Sequence, residues 1–185
     1  MQITGIILAG GLNTRMGTDK ALIKMGGKTL LEKAIEICKP VCKSIIISSN
    51  NKNHEFCGYQ ITPDEIKNCG PLGGIYSCLI KSDTDWNFVI SVDAAFVTVG
   101  FIEFLISEVN NNDAVIPEHS NGNEPLIALY HKNCIPAILK QIETKDYKMQ
   151  NLFKSLNTKY TEVQKWVEMH PVIFNNLNRP EDLKI

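Results

Sequence analysis

Ile3-Thr-Gly-Ile-Ile-Leu-Ala-Gly-Gly-Leu-Asn-Thr-Arg-Met-Gly-Thr-Asp-Lys20 decides the fold. Ile3 to Ala9 is a short apolar run that ends on Gly10 and Gly11. It reads as a strand buried on both faces, as strands of a parallel sheet are. Glycines directly after such a strand let the backbone curl and bring its N–H groups close to a ligand. A triphosphate needs such donors together with positive charge. Arg15 supplies a planar fork and Lys20 a point charge. The chain has only two arginines, so one placed in a glycine loop is informative. The string is neither a Walker A loop nor G-x-G-x-x-G. Its glycines alone fit a plain β–α turn equally well; the whole string favours phosphate binding.

Working outward, a polar loop is expected to about Gly27. Thr29 to Cys38 carries apolar residues at 30, 31, 34, 35 and 38, which is helical spacing, and Pro40 stops it. Ser44 to Ser48 is a second buried strand, 50–53 a loop, and Tyr59 to Thr62 a third strand. A helix opens at Cys69-Gly-Pro-Leu-Gly-Gly74 and runs to about Lys81. Trp86 to Val92 is a strand, and Val99 to Val109 a helix. Alternating elements with short apolar strands predict an α/β fold: three layers, Rossmann-like, with a mostly parallel central sheet and helices on both faces. The second half is less regular. Strands are expected at 114–117, 126–130, 160–164 and 172–174, helices at 134–142 and 149–156, and a helical turn at 180–183. No linker interrupts the 185 residues, so one domain is expected.

Hydrophobic residues make up 44 % and charged residues 21 %, with a formal net charge of −1, so nothing suggests the basic face of a nucleic-acid binder. No apolar run approaches a membrane span. Ile3 to Ala9 is too short and too early for a signal peptide. The six cysteines form no C-x-x-C pair and sit at no zinc spacing with histidine. Reduced thiols in a cytoplasmic protein are the expectation. His54, His119, His131 and His170 are scattered and are expected at the surface.

Two further strings carry chemistry. Asp93 follows the strand Phe88-Val-Ile-Ser-Val92, and ligands of open α/β sheets bind at the carboxyl ends of strands. A carboxylate there can hold Mg²⁺, which keeps several waters and bridges phosphate oxygens. An isolated aspartate at that place is more often a turn or helix-cap residue. The apolar Ala94-Ala95-Phe96 that follows, and a sheet edge shared with the first loop, favour metal binding. Gly70-Pro-Leu-Gly-Gly74 puts small residues at a helix start, where a base or ribose can lie against backbone. Alone, it reads equally as a turn with Pro71 at the first helical position.

In this order, Leu8-Ala-Gly-Gly11, Arg15-Met-Gly17, Asp19-Lys-Ala-Leu22, Gly70-Pro-Leu-Gly-Gly74 and Asp93 resemble the molybdenum cofactor guanylyltransferases, the MobA-like branch of the nucleotidyltransferases. Glu124-Pro-Leu-Ile-Ala-Leu-Tyr130 and Asn176-Leu-Asn-Arg-Pro-Glu-Asp-Leu183 extend the match over nearly the whole chain. The resemblance implies GTP, Mg²⁺ and a molybdopterin acceptor. It divides the single domain 1–185 into a nucleotide-binding half of about 1–95 and an acceptor-binding half of about 96–185. It places Leu8, Ala9, Gly10 and Gly11 around guanine and phosphates, Arg15 and Lys20 on the triphosphate, and Asp93 on the metal. Asn50, Asp64, Pro71, Leu72, Gly73 and Gly74 fall on the nucleoside side, and Asn176 and Asn178 on the acceptor side. The second glycine of Leu8-Ala-Gly-Gly11 resembles the guanylyl branch, so GTP is favoured over CTP. The implied protein partners are those of molybdenum cofactor biosynthesis or the enzymes that receive the cofactor.

The sequence departs from the family at Val92-Asp-Ala-Ala95, where Cys-Asp-Met-Pro is usual, and at Asn178-Arg-Pro180, where Asn-Thr-Pro is usual. The alternatives are a related enzyme using CTP or a sugar-phosphate acceptor, a non-catalytic GTP-binding module, and a structural partner protein.

Overall fold

The computed structural model describes residues 1–10 and 19–177. β1 (Ile3–Leu8) is buried at every position, as a central parallel strand must be. A short hairpin, β2 (Lys24–Met25) and β3 (Lys28–Thr29), turns through Gly26 and Gly27, both at positive φ. That conformation suits glycine and a two-residue hairpin, and it occupies part of what the sequence suggested was plain loop. α1 (Leu30–Cys38) starts on a reciprocal cap: the Thr29 hydroxyl accepts from the Glu32 N–H while Glu32 accepts from the Thr29 N–H.

The chain continues through β4 (Ser44–Ser48), a 3₁₀ segment Lys52–Cys57, and β5 (Gln60–Thr62). α2 (Pro71–Leu79) leads to β6 (Trp86–Ser91), and α3 (Val99–Ser107) to β7 (Ala114–His119). β8 (Gly122–Asn123), β9 (Ile127–His131), α4 (Ile135–Glu143), α5 (Met149–Phe153), β10 (Thr158–Glu162) and α6 (Gln164–Met169) complete the order.

Among the described residues, eight strands form one sheet. Seven lie in the order β10-β7-β9-β6-β1-β4-β5, and β8 pairs with β7. On that path β9 alone runs against its neighbours, so the sheet is mixed, with β6, β1, β4 and β5 mutually parallel. Alternation along β1 sorts the core. Ile3 and Ile7 join α1 and α3 on one face, while Ile6 and Leu8 join α2, α4 and α5 on the other. Three layers result, as expected.

Two late expectations need correction. Val172–Phe174 is a turn, not a strand. Its apolar residues cap the α3 face instead: Ile173 is fully buried, and Phe174 meets Phe101 edge-on at 5.4 Å. Gln164 begins a helix and does not end a strand, because β10 closes at Glu162. The expected turn at 180–183 lies outside the described residues.

Candidate active site

Register sets the site. Leu8 of β1 aligns with Ser48 of β4 and Ser91 of β6, and Ser48 aligns with Thr62 of β5. The four strands therefore end level, and the residues that follow emerge from one sheet edge. Those residues are Ala9 and Gly10, Ser49 and Asn50, Asp64, and Asp93. Ala9 donates its N–H to the Ser48 carbonyl at 3.0 Å, and Val92 to the Leu8 carbonyl at 3.1 Å.

The N-terminus of α2 closes onto this edge. A methyl group at Gly74 would strike the Ser48 hydroxyl and come within 3.3 Å of the Leu8 side chain. One at Gly73 would lie 2.9 Å from the Ile66 carbonyl and 3.9 Å from the Asp64 carboxyl carbon. The glycines are thus needed for close approach. Asn50 and Asp64 pair reciprocally: Asn50 Nδ2 donates to Asp64 Oδ2 at 3.1 Å, and the Asp64 N–H donates to Asn50 Oδ1 at 3.1 Å. Gly10 and Pro71 are exposed, whereas Leu72 is fully buried.

Lys20 and Asp93 meet. Lys20 Nζ donates to Asp93 Oδ2 at 2.6 Å, with each side chain 15 % exposed. The Ser91 hydroxyl donates to Asp93 Oδ1, which sequence reading missed although Ser91 stands two residues upstream. Leu177 is fixed to this end of the sheet by its N–H on the Asp93 carbonyl at 3.2 Å. Asn176 consequently lines a cavity of about 180 Å³ with Ser91, Asp93, Glu124, Pro125 and Leu126. Tyr130 supports the far wall by donating its hydroxyl to the Pro125 carbonyl at 2.7 Å. Burial pushes the Tyr130 phenol well up, so it stays a donor at any working pH. Glu124 Oε1 lies 3.1 Å from His119 Nε2, and the His119 ring stacks on Phe174 at 5.0 Å. Gly11, Arg15 and Asn178 lie outside the described residues.

Among the described residues no three His, Cys, Asp or Glu side chains gather to hold a metal ion. That does not conflict with magnesium. Mg²⁺ is commonly held by one or two carboxylates, with substrate phosphates and water completing its shell. Asp93, a partly exposed carboxylate at the strand-end cleft, fits that mode. Among the described residues no helix is long and apolar enough to cross a membrane.

A parallel α/β half-sheet whose carboxyl edge gathers Gly10, Lys20 and Asp93 defines a nucleotidyltransferase of Rossmann-like fold. The chain belongs to the MobA-like NTP transferase domain family, whose model matches residues 5–162. It is 32 % identical to a molybdenum cofactor guanylyltransferase of Vibrio campbellii, over 98 % of this chain and 93 % of that one. The molybdopterin-guanine dinucleotide biosynthesis protein A of Archaeoglobus fulgidus superposes with a TM-score of 0.83 at 26 % identity, covering 98 % and 95 % of the two chains. The 2-C-methyl-D-erythritol 4-phosphate cytidylyltransferase of Thermus thermophilus shares the fold, with a TM-score of 0.74 at 14 % identity, covering 99 % and 96 %.

Proposed function

We propose that this nucleotidyltransferase transfers GMP from GTP to the terminal phosphate of molybdopterin and releases pyrophosphate. The contact of Lys20 with Asp93 at the level strand ends carries the reading, because it sets a cation and a carboxylate side by side where a triphosphate would lie. The guanylyltransferase relatives over nearly the whole chain favour GTP and a molybdopterin acceptor.

The acceptor phosphate oxygen attacks the α-phosphorus of GTP in line, forming one P–O bond as the bond to pyrophosphate breaks. Both reactants are anionic, so positioning and charge neutralisation supply most of the catalysis. Lys20 and Arg15 offset charge on the departing pyrophosphate. Backbone of Leu8, Ala9, Gly10 and Gly11 receives guanine and phosphates, and Asn50, Asp64 and Pro71 to Gly74 hold the nucleoside. Asp93 would hold Mg²⁺, aided by Ser91. A magnesium ion held by Asp93 would supply positive charge beside the phosphates. Asn176, which lines the cavity beside Asp93, orients the acceptor together with Asn178. The acceptor phosphate is already ionised, so no side-chain base is needed. In this reading 1–95 binds nucleotide and 96–185 binds acceptor within one cytoplasmic domain, which passes its product to cofactor-handling proteins.

Pyrophosphate release tests the choice of substrates. GTP with molybdopterin should exceed CTP, and exceed GTP with a sugar phosphate, by at least about tenfold, a margin worth about 1.4 kcal/mol. Equal rates with CTP, or a preference for the sugar phosphate, would reject it.

A further inference from the structure

The sequence suggests a surface position for His54. It is instead wholly buried, and its Nε2 lies 2.9 Å from Asp19 Oδ2. Asn51 Nδ2 donates to the same oxygen. The other carboxylate oxygen of Asp19 accepts the Ala21 N–H at 3.0 Å and so caps the 3₁₀ turn Lys20–Leu22. Asn51 is itself fixed: its N–H donates to the Ser49 hydroxyl at 2.9 Å, and its Oδ1 accepts the Asn53 N–H at 2.9 Å. One carboxylate therefore ties the turn that bears Lys20 to the β4–β5 connection.

Ala9 is bonded to the Ser48 carbonyl at the end of β4, and Asp19 is bonded to Asn51 and His54 in the connection that follows. His54 Nδ1 is buried with no hydrogen-bond partner among the described residues. A buried polar atom left so costs about 1–3 kcal/mol. An apolar side chain would avoid that cost, so packing alone does not account for an imidazole here.

We propose that His54 and Asn51 are positioning residues for Lys20. They fix Asp19, Asp19 fixes the turn, and the turn holds the Lys20 ammonium at the phosphate-binding edge. The proposal rests on the nucleotide-binding reading above, and it adds two residues that act on Lys20 through Asp19. A lysine carries large rotamer freedom, so a fixed backbone origin reduces what binding must order.

The test is a double-mutant cycle on the full chain, read as GTP affinity by calorimetric titration with Mg²⁺ present. His54→Leu keeps an apolar volume and removes the donor. Asp19→Asn, a second variant should the first fail to fold, confronts the Asn51 and His54 donors with another donor. Each should weaken GTP binding about tenfold with Lys20 present, and less than about twofold in a Lys20→Met background, because the effect travels through Lys20. His54→Gln, which can return a nitrogen donor, should recover binding to within about threefold of wild type. Equal losses in both backgrounds, or no loss with Lys20 present, would overturn the positioning role. GTP binding that shows the predicted cycle without any dinucleotide formation would sink guanylyl transfer alone. A wild-type chain that does not bind GTP would overturn both.

Discussion

Lys20 and Asp93, 73 residues apart in sequence, meet at 2.6 Å where the Asp19-capped turn Lys20–Leu22 reaches the end of β6. The sheet brings together charges that the chain holds apart. The contact also shows how the site stays balanced without nucleotide: each partly buried charge has an opposite partner, which an incoming phosphate or metal ion can replace.

Removing either member should therefore damage catalysis more than folding. Asp93→Ala and Lys20→Met should each lower kcat/KM for nucleotide by about a hundredfold or more, the scale seen when a transition-state charge partner is lost. Circular dichroism should remain that of the wild type. Full turnover in Asp93→Ala would remove the metal role.

Gly73 should prove structural as well as functional. A methyl group there meets the backbone oxygen of Ile66 at 2.9 Å, and backbone cannot rotate away. Gly73→Ala should cost about 1–3 kcal/mol through overpacking. For a chain of 185 residues that lowers Tm by roughly 3–10 °C, readable by calorimetry. An unchanged Tm would mean that α2 can shift freely.

Acid sensitivity should trace in part to α1. The Thr29 N–H, and then the Thr29 hydroxyl, hold the Glu32 carboxyl below the usual carboxylate value. A depressed folded-state value stabilises the fold above the unfolded-state value, and that stability is lost as pH falls through the folded one. Wild type should lose more stability than Glu32→Gln between about pH 5 and pH 3 in denaturant titrations. Parallel curves would rule the cap out as a source.

The thiols should react in a fixed order. Cys42 is half-buried, whereas burial pushes Cys78 and Cys134 up to about 12 and Cys57 up to about 11. Cys38 is raised by the Cys42 thiol beside it and by burial. Mass spectrometry after brief alkylation at neutral pH should find Cys42 labelled first, and Cys78 and Cys134 only after denaturation.

How much of this is legible in the sequence varies by element. β1, β4 and β6 declare themselves because a strand buried on both faces must be apolar throughout. Helix α1 is equally plain from its spacing, and Thr29 with Glu32 marks its start. Val172–Phe174 misleads because three apolar residues read alike whether they pair in a sheet or cover a helix. The hairpin at Gly26-Gly27 escapes notice because its strands have two residues each, too few for alternation to register. In the site, Asp93 can be named from its place after a strand, while Ser91 at its side cannot, since a serine ending a strand has no distinguishing pattern. His54 is misread for the same reason. Its neighbours Asn53 and Glu55 are exposed, and only the fold brings Asp19 to it.

The central claim is that the Lys20–Asp93 cleft passes guanylyl groups to a phosphate acceptor. Incubation of the full chain with Mg²⁺, molybdopterin and equal GTP and CTP, with products resolved by chromatography, tests it most directly. The account predicts molybdopterin-guanine dinucleotide and pyrophosphate in equal amounts. A cytosine dinucleotide as the main product, or no dinucleotide at all, would contradict it.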